Sequence, residues 1–197
     1  MKSKSSGDQN TGTSTHVCPW WLAYTFDNPI RRWIHRPRTL LAPHVKDGMH
    51  VIDIGCGMGV FTIAMAGLVG DSGKVTALDL QEKMLEITMK RARKAGIDHR
   101  IQTVPGSAEQ IAGTAPIDFA LAFWMIHEVP DRFAFFTKIS NALKPDGALL
   151  AAEPAMHVSR KDFEQTLAAA ASAGLQPLTR QPKIRFSLSR VLVKQQG

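Results

Sequence analysis

Three glycines spaced G-x-G-x-G, Gly55, Gly57 and Gly59, follow directly on the apolar run Val51–Ile54. A backbone without side chains at the end of a strand lets a polar ligand approach closely. Twenty residues beyond Gly59 a second apolar run ends at Asp79, whose carboxylate can accept hydrogen bonds from both hydroxyls of a ribose. Strand, glycine turn, helix, strand and acid together point to a nucleoside-bearing ligand. The dinucleotide pattern is G-x-G-x-x-G; here the third glycine comes one residue early, which disfavours a nicotinamide cofactor. A further acid, Asp53, precedes Gly55 by two residues. Taken singly, each glycine also suits a tight turn, Asp79 a helix N-cap, and Asp53 an anchor for the loop's N–H groups.

Two other stretches carry candidate chemistry. After a fourth apolar run comes Phe123-Trp124-Met125-Ile126-His127-Glu128. His127 is the leading base candidate and Glu128 the second; Phe123 and Trp124 read as pocket walls. A structural role for His127 and Glu128 stays open. Near the start, HVCPWWLAYTFDNP carries Trp20, Trp21, Tyr24 and Asp27. These aromatics either pack the segment onto the domain or form a lid over the substrate. His157, beside Met156 in the 154–160 loop, is a further substrate-side candidate. Cys18 and Cys56 lie far apart and form no CxxC pair, so no disulfide framework and no four-ligand zinc site is expected.

The elements that must position these residues follow from hydrophobic periodicity. Strands are expected over 50–54, 74–80, 101–104, 117–123 and 148–152, and helices over 60–68, 81–95, 131–143 and 159–173, with a weak helix over 108–111. Ser159 reads as an N-cap and Gly96 and Gly174 as C-terminal stops. The alternation implies βαβ units and a parallel sheet. The tail differs: 178–186 and 190–194 read as two strands joined by Ser187-Leu188-Ser189, an antiparallel hairpin. One helix is expected over 28–43, with a break near Pro37. The domain organisation that results is a disordered arm (1–17), an N-terminal cap (18–47) and the sheet domain (48–197).

The 197 residues suffice for one buried domain. No run of about 18 apolar residues occurs, so no membrane span is expected, and the first seventeen residues lack the apolar core of a secretory signal. With the cysteine usage, this predicts a cytoplasmic protein. Net charge is +7, unevenly spread: residues 1–49 hold seven Lys/Arg against three Asp/Glu, residues 155–197 seven against two, and residues 50–154 ten against twelve. The basic ends are compatible with an acidic partner or with simple solubility.

The motifs, in order, resemble those of the class I S-adenosylmethionine-dependent methyltransferases. VIDIGCGMG resembles the first motif, VTALDL the second, PGSAEQI the third, APIDFALAFWMIHEVPD the fourth and LKPDGALLAAEP the fifth, over roughly residues 40–155. HEVPD is similar to the branch holding ubiquinone, menaquinone and related small-molecule methyltransferases. The resemblance implies a Rossmann-like, doubly wound, mostly parallel seven-stranded sheet with an antiparallel C-terminal hairpin. It implies S-adenosylmethionine as cofactor, held by Asp53, Gly55, Cys56, Gly57, Gly59, Asp79, Leu80, Ser107, Ala108 and Phe123. Trp20, Trp21, Tyr24, Asp27, Trp124 and His157 would face the acceptor. Where the family often has Asp, this chain has Ser107, a weaker acceptor for the adenine amino group. Alternatives are an RNA or protein methyltransferase, for which no N/D-P-P-Y/F tetrapeptide or RNA-binding module is present, and an S-adenosylmethionine-binding regulator without catalysis. Oligomeric state is not legible.

Overall fold

A computed structural model describes residues 34–114, 116–179 and 181–195. Expectations for residues 1–33, including Cys18, Trp20, Trp21, Tyr24 and Asp27, lie outside the described residues. The first described helix, α1 (Pro37–Leu41), opens with Pro37 as its first residue. A proline suits that place because its missing N–H has no helical partner to lose. The chain then alternates through β1 (His50–Ile54), α2 (Val60–Ala66), β2 (Lys74–Asp79), α3 (Glu82–Lys94), β3 (Ile101–Pro105) and β4 (Ile117–Phe123). It continues through α4 (Arg132–Ala142), β5 (Leu143–Pro154), α5 (Arg160–Ser172), β6 (Leu175–Pro177) and β7 (Ser187–Lys194).

The seven strands form one sheet in the order β3-β2-β1-β4-β5-β7-β6. The first five are parallel, and β7 pairs antiparallel with both β5 and β6. The central strands are apolar without alternation because helices cover both faces. Val51, Phe119 and Leu121 pack with Leu41, Phe61, Met65 and Leu85 on one face. Ile52, Ile54 and Ala120 pack with Phe135, Phe136, Ile139 and Ala170 on the other. The doubly wound sheet and the antiparallel end are as the sequence predicts. The Ser159 cap also matches, accepting from Asp162 N–H at the start of α5; at the start of α4 Asp131 accepts from Ala134 N–H, a cap the sequence reading did not name.

The hairpin differs from expectation in its registration. Residues 178–186 are a connection, and Ser187–Ser189, expected as the turn, begin β7 opposite Pro154 to Ala152. The edge strand is Leu175–Pro177 instead. Pro182 has no N–H to give a ladder. Gln181 supplies side-chain bonds where a strand would supply backbone ones: its Oε1 accepts from Val191 N–H at 2.6 Å. Strand β5 starts at Leu143, before the expected 148, and residues 144–147 form an irregularity in the β4–β5 register.

Candidate functional site

Strand order reverses between β1 and β4, and a cleft of about 1030 Å³ opens beyond the carboxyl ends of the strands. That is where open α/β sheets hold ligands. The glycine turn forms one wall and is pinned from two sides. Gly55 and Cys56 N–H donate to Leu78 O at 2.8 and 3.0 Å, Thr88 Oγ1 donates to Gly57 O at 3.0 Å, and Arg91 donates to Met58 O at 2.7 Å. Gly57 has φ +53° with nothing within 4 Å of where a Cβ would sit, so its open side faces the cleft.

Asp79 closes the unit. Its Oδ2 accepts from Gly57 N–H at 2.8 Å and its Oδ1 from Gln81 N–H at 2.9 Å. Gln81, rather than Asp79, is the N-cap of α3. The carboxylate therefore ties the glycine loop to the end of β2. Burial lifts its pKa above the ordinary carboxylate value, opposed by the two N–H donors. Asp53 is buried and accepts from Thr62 Oγ1 at 2.6 Å, a hydroxyl of α2. The thiol of Cys56 is pushed well above its usual range, first by burial and then by Asp53 and Asp79, so it is inert rather than nucleophilic. Thr62→Val keeps the shape and removes one donor from the Asp53 carboxylate. It should lower stability by about 1.5–3 kcal/mol, read as a shift of the urea midpoint with unchanged slope.

After Asp79, Leu80 stands exposed in the cleft wall, which Ser107 and Ala108 also line. Ser107 Oγ accepts from Glu109 N–H at 3.3 Å, at the start of a 3₁₀ segment. Phe123 ends β4 and packs on Phe61 with ring centroids 4.4 Å apart. Trp124 takes φ +62°, a left-handed conformation that is strained for a bulky residue and concentrates at functional sites. Its N–H donates to Ala152 O at 2.7 Å and its Nε1 to Ser187 Oγ at 2.9 Å. Phe186, beside Ser187, has φ +58° and also lines the cleft, with the exposed Met156 and His157.

His127 and Glu128 lie on a 3₁₀ turn after β4 and face the cleft. Glu153, at the end of β5 and 1 % exposed, holds that turn. Its carboxylate accepts from Ile126 N–H at 2.9 Å, His127 N–H at 3.2 Å and His127 Nδ1 at 2.5 Å. The Glu153 bond raises the His127 pKa, opposed by burial. Burial raises Glu128 as well; His127 opposes that, and Asp79 and Glu153 add to it. His127 Nε2 is 4.0 Å from Glu128 Oε1.

The cleft thus gathers nearly all the cofactor- and substrate-side candidates among the described residues. The exception is Gly59, which does not line it: with φ +79° it is the N-cap of α2 and packs on Thr88. Glu153 was not legible as a site residue, although an acid ending the apolar run ALLAAE is a signal that could have found it. Phe186 carried no signal at all. Among the described residues, no group of three or more His, Cys, Asp or Glu is placed to hold a metal ion, and no helix is long and apolar enough to cross a membrane.

Residues 45–183 match a family model described as a methyltransferase domain. The chain belongs to that family. Its methyltransferase domain is 36% identical over 104 residues to a demethylmenaquinone methyltransferase of Lactobacillus johnsonii, covering 52% of this chain and 43% of the relative. It is 28% identical over 124 residues to that of Bacillus velezensis, covering 62% and 52%. The chain spans about half the length of the curated relatives it matches. The crystal structure of an S-adenosylmethionine-dependent methyltransferase from Aquifex aeolicus superposes with a TM-score of 0.77 at 21% identity, covering 90% of this chain and all of that one. The methyltransferase domain is therefore of the class I fold.

Proposed function

We propose that the chain transfers a methyl group from S-adenosylmethionine to a small-molecule acceptor by in-line displacement. The observation that carries this reading is the hydrogen-bonded unit of Asp79 and Gly57 at the switch point of the sheet. A carboxylate has about four lone-pair sites. Two are used by Gly57 and Gln81, which leaves one on each oxygen for the two ribose hydroxyls. Leu80 offers an apolar face to adenine, with Ser107 and Ala108 at its edge. Gly57 leaves room for the methionine part, and Asp53 lies behind the loop. Asp53, Asp79 and Glu128 give the cleft a negative lining in a chain of net charge +7, which suits a cationic cofactor.

When bound, S-adenosylmethionine supplies an activated methyl carbon, so the protein's task is alignment and exclusion of water. Phe123, Trp124 and Phe186 provide apolar walls for the acceptor. Trp20, Trp21, Tyr24 and Asp27 belong in this reading to a cap on the acceptor side, with residues 18–47 as its extent. The relatives named demethylmenaquinone methyltransferases support a small, largely apolar acceptor. Acidic residues at the cleft, Glu109, Glu128 and Asp131 among them, disfavour a polyanionic one.

An acceptor screen read by release of S-adenosylhomocysteine tests the proposal. Turnover with phenols, amines, thiols or quinols is the expected result. Turnover with RNA or protein and with none of the small molecules would contradict it.

A further inference from the structure

We propose that Glu153 positions His127 as the base of the transfer, so that His127 Nε2 takes the proton of a hydroxyl on an apolar, ring-bearing acceptor. The inference rests on the methyl-transfer reading and adds the acceptor's chemistry to it. Glu153 is buried, and Ile126 N–H and His127 N–H donate to its carboxylate besides the imidazole, whose Nδ1 lies 2.5 Å from Oε2. The neutral imidazole must then carry its proton on Nδ1. Its lone pair lies on Nε2, the nitrogen left for the cleft. This is the arrangement in which a carboxylate fixes both tautomer and ring orientation of a histidine base.

Such a base serves a particular kind of acceptor. An amine attacks with its own lone pair and sheds a proton afterwards, whereas a hydroxyl is a weak nucleophile until its proton is leaving. In the transfer, the acceptor oxygen forms a bond to the methyl carbon and the carbon–sulfur bond breaks with its electron pair going to sulfur. The acceptor's O–H bond breaks and the proton ends on His127 Nε2. The positive charge thus moves from the sulfonium to the imidazolium, which lies between the Glu153 carboxylate at 2.5 Å and Glu128 at 4.0 Å. The rest of the acceptor must suit Phe123, Trp124, Met156 and Phe186, hence an apolar ring system.

The groups acting on His127 are Glu153 from β5 and Glu128 on its own turn, which raise its pKa, and Arg132 at the start of α4, which lowers it. Since the base form is required, transfer should rise with pH through a midpoint above the ordinary histidine value of 6.5. Glu153→Gln should move that acid limb to lower pH and reduce kcat about 10–100-fold with little change in KM.

The test uses the full chain saturated with S-adenosylhomocysteine, with 2-naphthol as the hydroxyl probe and ¹⁵N NMR of the imidazoles. The expected spectrum shows neutral His127 protonated at Nδ1, and 2-naphthol shifts its Nε2 resonance. In His127→Gln, 2-naphthol binding weakens about tenfold, as for loss of one hydrogen bond, and with S-adenosylmethionine its methylation falls at least 100-fold. A proton on Nε2 in the neutral form, no binding of 2-naphthol to the wild type, or equal methylation by His127→Gln would each overturn the proposal. Calorimetric binding of S-adenosylhomocysteine in the same samples separates this from failure of the methyl-transfer reading: its loss would sink that reading, and its retention confines any failure to the base and the acceptor class.

Discussion

Asp79→Ala is expected to weaken S-adenosylmethionine binding about 10²–10³-fold, measured by titration calorimetry. A hydrogen bond to a charged group contributes about 1.5–3 kcal/mol. Two ribose hydroxyls on one carboxylate therefore set a loss near that range of affinity, once partial replacement by water is allowed for. The variant also removes the acceptor for Gly57 N–H and Gln81 N–H, so the glycine loop loses its tie to β2. Asp79→Asn retains one oxygen acceptor and should fall between wild type and alanine. Equal affinity in wild type and alanine variant would place the ribose elsewhere.

The second large effect separates two glycines that look equivalent in the sequence. Gly59→Ala should destabilise the fold by about 2–5 kcal/mol, combining a left-handed φ for a non-glycine residue with overpacking of a buried site. A Cβ there would lie 2.6 Å from Thr88 Cγ2 and 2.7 Å from its Oγ1. Thr88 is fully buried and its hydroxyl is committed to Gly57 O, so it has little freedom to yield. Gly57→Ala meets nothing within 4 Å and should cost only the backbone strain of about 1–2 kcal/mol. Its methyl instead enters the space kept for the ligand, so binding should drop at least tenfold while the fold survives. Urea unfolding and calorimetry on both variants should therefore give opposite rankings: Gly59→Ala worse in stability, Gly57→Ala worse in binding per unit of stability lost.

This contrast also marks what the sequence could convey. The spacing of Gly55, Gly57 and Gly59 identifies the turn, but only packing shows that Gly59 answers to Thr88, 29 residues away, rather than to a ligand. The central strands were legible because burial on both faces forces continuous apolar runs, and α5 because Ser159 caps it locally. The C-terminal hairpin was misplaced because Gln181 replaces backbone ladder bonds with side-chain ones, and no periodicity records that. His127 stood out by residue type, whereas its partner Glu153 is 26 residues away and meets it only through the β4–β5 pairing. Trp124 read as a wall from composition; its φ of +62° and its bond to Ser187 depend on how β7 returns beside β5. A fold shared with enzymes of many activities does not itself select an activity; the residues of the site select the acceptor.

The central claim is that the cleft between β1, β2 and β4 holds S-adenosylmethionine on Asp79. Titration calorimetry of the wild type and Asp79→Ala with S-adenosylmethionine, S-adenosylhomocysteine and NAD⁺ tests it most directly. The account predicts binding of both adenosyl ligands by the wild type, at least 100-fold weaker binding by the variant, and no binding of NAD⁺. Binding of NAD⁺ without the adenosyl sulfur ligands, or adenosyl binding unchanged by Asp79→Ala, would contradict it.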